Sequence, residues 1–187
     1  IGFIYKEKGD NQASVAHLEK AVKVDCEAKI SWVEVPIGTY GRLGEMYYLG
    51  KGVDIDEKRA LELFLKEIEE NNSDRISYCH SYIAEIYDKE ANYQNAFHYA
   101  KHAAEHGYGH SQRLMVKYYY MGEAVGLEED YKKVEYWAKK AIENKYANDY
   151  IKGYSYRILG VIYSDTNSVL YDIKQAIVNY EKALLLK

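Results

Sequence analysis

The sequence of 187 residues is poor in proline and cysteine, with one proline and two cysteines, Cys26 and Cys79. β-Sandwiches use many proline- and glycine-rich turns, so a single proline favours helices joined by short loops. The two cysteines have neither the spacing of metal ligands nor the density of a disulfide-stapled secreted module. The composition therefore predicts a helical protein without a disulfide framework.

The sequence also has no long apolar segment and no block of one charge. A membrane-spanning helix needs roughly 20 apolar residues, whereas the clearest apolar cluster runs only from Ala183 to Leu186. The 25 basic and 29 acidic residues are interspersed and give a net charge of -4, so no basic stripe faces a nucleic-acid backbone. We expect neither a membrane span nor a nucleic-acid partner, and the 48% of apolar residues predicts a folded core.

Internal repetition is the strongest signal in the sequence. A pentapeptide recurs that starts with an aliphatic residue, has glycine or alanine second in four of five copies, and ends in tyrosine. The first and last residues share one helical face because they are four apart, so we assign the tyrosines to the core. The small second residue predicts close helix contacts at Gly44, Ala84 and Gly160. The copies are Ile1–Tyr5, Leu43–Tyr47, Ile83–Tyr87, Leu114–Tyr118 and Leu159–Tyr163.

A second helix is predicted downstream of each pentapeptide, because small or apolar residues recur there at i, i+4 and i+7. A short polar residue stands four positions before the first of them. Its side-chain oxygen suits an N-cap, since it can accept hydrogen bonds from the free backbone N–H groups of a helix start. The predicted caps are Asp10, Asp56, Asn92, Asp130 and Asp172.

The run from Leu43 to Tyr47, followed by Gly50-Lys-Gly-Val53 and Asp56, resembles the Sel-one-like repeat family, a relative of the tetratricopeptide repeat. Ala103-Ala-Glu-His-Gly107 resembles the family's helix end, where glycine adopts the left-handed conformation. The resemblance implies an all-α fold, a right-handed α–α superhelical solenoid of about five helix-turn-helix repeats. We predict a single domain over residues 1–187, with repeats at 1–28, 37–72, 74–108, 109–146 and 149–187 and an irregular linker over 29–36.

The resemblance also implies a function: a non-enzymatic scaffold or adaptor for protein–protein interaction, as in bacterial signalling, which binds a protein or peptide in its concave groove. In the family's register the first helix of each pair lines that groove. Tyrosine suits such a surface because it offers a large apolar face and a hydroxyl, so Tyr48, Tyr119 and Tyr120 are the central candidates. Extra packing between helices is the alternative role for them. The predicted contact residues are Glu45, Tyr48, Glu85, Lys89, Gln112, Val116, Tyr119, Tyr120 and Arg157.

Histidines lie four residues apart on the second helix of the third repeat, and His98 and His102 are weak candidates for a metal site. A solvated helix face is the favoured interpretation, because no matching cysteine or acidic cluster accompanies them. The sequence shows no catalytic arrangement and no cofactor motif, so we expect no enzyme and no cofactor. A metal-dependent regulator or enzyme built on His98 and His102, and a structural segment of a larger multidomain protein, are the alternatives.

The two ends of the sequence are apolar, at Ile1 and Phe3 and again at Leu184 to Leu186. Terminal repeats normally carry a polar outer face, so we expect either a longer array or self-association through the end repeats. No signal peptide is visible, which favours a cytoplasmic location. Because Ile1 falls inside a predicted helix, the natural start is expected to be missing, and a secreted or periplasmic location stays open.

Overall fold

The computed structural model describes residues 10–28, 38–70, 75–122, 126 and 129–186. Every regular element in these ranges is a helix, which confirms the all-α class. The helices are α1 Asn11–Ala28, α2 Thr39–Leu49, α3 Glu57–Glu69, α4 Ile76–Lys89, α5 Tyr93–Glu105, α6 Gly109–Met121, α7 Tyr131–Glu143, α8 Asp149–Ser164 and α9 Ile173–Leu185.

Helices α2, α4, α6 and α8 are the first helices and α3, α5, α7 and α9 the second helices of the repeats, and α2 packs against α3, α6 against α7 and α8 against α9. Helix α1 is a second helix, and the first pentapeptide lies outside the described residues, as does the predicted linker 29–36. The chain divides into two compact units, residues 1–86 and 87–187. In the first unit α2 packs against α1 and α3, and in the second unit each helix from α5 to α9 packs on the next while α6 contacts α8. The single domain over residues 1–187 stays a prediction.

Five second helices, α1 among them, begin at the predicted caps, all of which are confirmed. The Asp56 carboxylate accepts a hydrogen bond from the Arg59 N–H at 2.8 Å. Such a bond satisfies one of the free N–H groups at a helix start and stabilises it by about 1 kcal/mol. The other caps accept in the same way: Asp10 from Ala13, Asn92 from Asn95, Asp130 from Lys133, and Asp172 from Lys174 and Gln175.

Four of these cap residues also bind the first helix of their own pair. The cap N–H donates to a carbonyl oxygen in the last turn of that helix, at the pentapeptide tyrosine in three pairs and one residue later in the fourth. One residue thus fixes the end of one helix and the start of the next, although the loops between them differ in length. The bonds are Asp56 to Tyr47 (3.0 Å), Asn92 to Tyr87 (2.9 Å), Asp172 to Tyr163 (2.9 Å) and Asp130 to Tyr119 (3.2 Å).

The pentapeptide tyrosines occupy the packing positions predicted for them. Tyr118 and Tyr163 are buried, and Tyr47 and Tyr87 are half-buried; Tyr5 lies outside the described residues. A buried phenol needs a partner for its hydroxyl. In three cases this partner is a carboxylate on a preceding helix: Tyr47 donates to Glu19 at 2.9 Å, Tyr118 to Asp88 at 2.8 Å and Tyr163 to Glu135 at 2.6 Å.

The small second residue of the pentapeptide is required by close contact within a helix pair, as predicted. A Cβ atom added at Gly44 would lie 2.9 Å from Cε1 of Phe64, and one added at Gly160 would lie 2.6 Å from Cε1 of Tyr180. Ala84 is fully buried. The predicted helix end is also present, because α5 stops at Glu105 and Gly107 has φ 85°.

These contacts predict that Gly44→Leu destabilises the protein by about 1–3 kcal/mol, because the fully buried Phe64 has no room to move aside. Gly153→Leu is the matched control. A Cβ at Gly153 would lie 3.5 Å from the Leu186 carbonyl oxygen, an ordinary contact. The free energy of unfolding is measured by urea denaturation followed by circular dichroism. Equal losses in both variants would contradict the close contact at Gly44.

Candidate functional site

In the first unit, the predicted contact residues Tyr48 and Glu85 are joined by a hydrogen bond. The Tyr48 hydroxyl donates to the Glu85 carboxylate at 2.9 Å. Its ring meets Tyr82 edge-to-face, with 4.9 Å between the centroids, and Tyr82 in turn stacks on Phe64 at 5.2 Å. The first helices α2 and α4 are therefore bridged by a tyrosine network that holds Tyr48 in one orientation.

Glu45 forms the second half of this network. Its carboxylate pairs with Lys51 at 3.2 Å and with Arg75 at 3.5 Å. Burial, followed by a hydrogen bond to Glu45, raises the pKa of Tyr78 far above its usual value. Tyr78 is therefore a neutral hydrogen-bond donor at physiological pH, and Glu45 is a fixed anchor within the first unit.

Two predicted contact residues in the second unit are buried. Val116 is fully buried and Gln112 is only 4% exposed. The Gln112 amide donates to the Ala104 carbonyl at 3.3 Å and accepts from Asn144 at 2.9 Å. Both side chains therefore hold neighbouring helices together and do not offer a contact surface.

Gly41 occupies the same repeat position as Gln112 and is also buried. A Cβ at Gly41 would lie 3.1 Å from Sγ of Cys79 and 3.4 Å from Cγ of Glu67. This position therefore faces the second helix of its own pair and the first helix of the next, and not an open groove. Arg157 occupies the same position in the last described pair, where its side chain is exposed.

Tyr119 also lies elsewhere than predicted. Its ring meets Phe97 of α5 edge-to-face at 5.7 Å, and Nζ of Lys133 in α7 is 4.9 Å from its centroid. Both neighbours belong to second helices, so Tyr119 does not lie on the first-helix face. At the end of α6 the Asp130 N–H binds the Tyr119 carbonyl, one residue later than the corresponding bonds in the other pairs.

The remaining predicted residues of the second unit are separate from one another. The half-buried Tyr120 stacks on Tyr131 of α7, with 6.5 Å between the centroids. Lys89 is exposed at the end of α4, and Arg157 is exposed on α8. The structure therefore joins the predicted residues of the first unit into one network but does not join those of the second.

A different group of residues comes together in the second unit, and Arg157 is its only member among the predicted contact residues. The Arg113 guanidinium carbon is 5.5 Å from the Tyr154 centroid and 5.6 Å from that of Tyr150. The Arg157 guanidinium carbon is 5.2 Å from Tyr154. We call Arg113, Tyr150, Tyr154 and Arg157 the Arg–Tyr cluster. The spacing of the three α8 members at i, i+4 and i+7 was readable in the sequence, but the approach of Arg113 depends on how α6 packs against α8.

A surface pocket adjoins the Arg–Tyr cluster between α8 and α9. Its volume is about 630 Å³, and its walls are mainly aromatic and aliphatic. Tyr150, Tyr154 and Arg157 belong to both features. The lining residues are Tyr150, Gly153, Tyr154, Arg157, Tyr180, Ala183, Leu184 and Leu186.

The predicted histidines lie on α5. The rings of His102 and His106 stack at 4.5 Å, and the His98 ring meets Tyr99 at 5.3 Å. Burial, followed by the neighbouring His106, lowers the pKa of His102, while Glu105 opposes the shift. In the described part of the chain no group of three or more histidine, cysteine or acidic side chains is arranged to hold a metal ion.

Comparison with known proteins identifies the fold. No family model and no curated protein matches the sequence. A Sel1 repeat protein from Oxalobacter formigenes superimposes with a TM-score of 0.66 and 19% identity, covering 99% of this chain and 68% of that one. A protective antigen of uropathogenic Escherichia coli strains with an SLR fold superimposes with a TM-score of 0.70 and 20% identity, covering 98% of this chain and 36% of that one.

The chain therefore has the all-α helical repeat fold of the Sel1-like solenoids, and the resemblance seen in the sequence is confirmed at the level of fold. It spans little more than a third of the length of the antigen. Among the described helices none is long and apolar enough to cross a membrane.

The lowered pKa of His102 predicts a loss of stability in acid. The unfolded chain, with an ordinary histidine pKa of about 6.5, binds the proton more tightly than the folded one, so stability falls as the pH drops below that value. His102→Gln should therefore lose less stability than the wild type between about pH 7.5 and about pH 5.5. Urea midpoints at the two pH values measure the effect. If His98→Gln, at an exposed position, reduces the acid loss equally, the burial of His102 is not its cause.

Proposed function

We propose that the chain is a non-enzymatic scaffold that binds a protein or peptide segment on the surfaces of its first helices. The fold class supports this role, and so does the state of Cys79. Burial, followed by the charge of Glu67, raises the pKa of the Cys79 thiol to about 12. A buried neutral thiol is a packing group and not a nucleophile.

The observation that carries the proposal is the exposed aromatic surface of α8. Tyr150 is 61% exposed, lies over Arg113 and opens onto the pocket between α8 and α9. Tyrosine and arginine are enriched among the residues that dominate binding energy at protein interfaces. Pockets beside such residues accept the anchoring side chains of a partner.

In the first unit the proposed contact residues are Tyr48, Glu45 and Glu85. Their hydrogen bonds and ion pairs hold the side chains in place before a partner arrives, which reduces the conformational entropy lost on binding. In the second unit the proposed contact residues are Arg157, Lys89 and Tyr120, together with Tyr150.

The test compares two matched double variants against peptides selected from a random display library on the wild-type protein. Tyr150→Ala with Arg157→Ala removes an exposed tyrosine and a cation from the first helix α8. Tyr136→Ala with Lys140→Ala removes the same groups from the second helix α7, where Tyr136 is 51% exposed and Lys140 lies 5.3 Å from its ring.

We expect the α8 variant to lose about tenfold to 30-fold in affinity, as truncation of an anchor at an interface commonly does. The α7 variant should bind like the wild type, and both should keep the helical circular dichroism because all four side chains are exposed. Peptides that bind the α8 variant normally and fail to bind the α7 variant would refute the assignment to the first helices.

A further inference from the structure

Two guanidinium groups flank one tyrosine ring in the second unit. Arg113 of α6 and Arg157 of α8 lie 5.5 Å and 5.2 Å from the centroid of Tyr154. Each cation is attracted by the electron-rich face of an aromatic ring, which orients the guanidinium but uses none of its N–H donors. The hydrogen-bonding capacity of both arginines is therefore left for another group.

Nothing in the described part of the chain uses that capacity. Neither Arg113 nor Arg157 takes part in a hydrogen bond or an ion pair there, and Nε of Arg113 is buried without a hydrogen-bond partner. Leaving a buried donor unpaired destabilises the folded chain. Arg113 is half-buried and Arg157 exposed, so their other N–H groups can receive an acceptor from a partner.

Two carboxylates of the second unit are already engaged by other side chains. Asp88 accepts hydrogen bonds from Lys117 at 2.7 Å and from Tyr118 at 2.8 Å. Glu135 accepts from Lys139 and from Tyr163, both at 2.6 Å. The second unit therefore pairs these internal charges and leaves the two arginines of the Arg–Tyr cluster unpaired.

The two arginines require an acidic group on the partner, and the pocket requires an apolar group beside it. Arg157 and Tyr154 line it, so the cationic groups and the pocket form one continuous surface. Tyr180 and Leu184 on α9, together with Leu186 just after it, supply the opposite wall. A volume of about 630 Å³ accommodates bulky side chains but not a folded domain.

From this arrangement we infer the chemistry of the partner: the second unit binds an acidic peptide segment, with Asp or Glu carboxylates on Arg113 and Arg157 and an adjacent aliphatic or aromatic side chain in the pocket. The inference rests on the proposed function and names its ligand class. The planar guanidinium forms paired N–H···O bonds with a carboxylate, which a neutral group cannot replace. The net charge of -4 does not oppose it, because dispersed charges beyond about 8–10 Å are screened at physiological salt.

The test uses a display library of random dodecapeptides selected on the wild-type protein. We expect the selected peptides to be enriched in Asp and Glu next to a bulky apolar residue. A selected acidic peptide should bind at least about tenfold more tightly than its Asn/Gln counterpart, and its affinity should fall as salt rises from about 0.05 M to about 0.5 M.

The matched protein variants carry the same change of charge at two places. Arg113→Gln with Arg157→Gln should lose at least about tenfold in affinity for the acidic peptide. Lys101→Gln with Lys140→Gln, at exposed positions on α5 and α7, should lose less than about twofold. Because Arg113 is partly buried, Arg157→Gln alone is also measured, and its exposed side chain can be changed without unfolding the helix.

Three results would overturn the inference. They are the selection of basic or uncharged peptides, equal losses in the arginine and lysine variants, and self-association of the wild type through this surface that the acidic peptide does not inhibit. In the first case the proposed function still stands if Tyr150→Ala with Arg157→Ala weakens binding of the selected peptides. If that variant binds every selected peptide normally, the proposed function fails as well.

Discussion

The described helix pairs depend on one short polar residue between their two helices. Asp56 shows how it acts: its carboxylate caps α3 through Arg59, and its own N–H binds the Tyr47 carbonyl at the end of α2. Two bonds on one residue fix both helix ends, so the loop between them is free to vary in length. The fixed turn brings the helices so close that Gly44 has no room for a Cβ beside Phe64.

With the pairs fixed, the tyrosines divide into groups with different physical roles. Tyr118 and Tyr163 are buried and reach carboxylates on preceding helices, so they join successive repeats. Tyr48 is half-buried and bonded to Glu85, so it shapes a surface without being fully part of the core. Tyr150 is exposed and is free to contact a partner. The abundance of tyrosine therefore has no single explanation, and burial and the hydroxyl partner decide the role of each ring.

The features that the sequence predicts correctly are local. Caps, helix faces and the small residue at Gly44 depend on spacings of three to five residues within one pair, which the chain records directly. The contact residues depend on neighbouring helices. Gln112 is buried because it bonds Ala104 of α5 and Asn144 after α7, and Tyr119 lies between Phe97 of α5 and Lys133 of α7. Arg113 meets Tyr154 only because α6 packs on α8, which no spacing along the sequence records.

Hydrogen-bond partners separate the polar groups that hold the fold from those available for binding. Asp88 and Glu135 each accept hydrogen bonds from two side chains, and Asp56 is bonded on both sides through its carboxylate and its N–H. Arg113 instead keeps a buried donor without a partner. An unpaired buried donor destabilises the folded chain. The proposed acidic segment instead supplies acceptors for the other guanidinium N–H groups of Arg113 and Arg157, which make no hydrogen bond or ion pair in the described part of the chain.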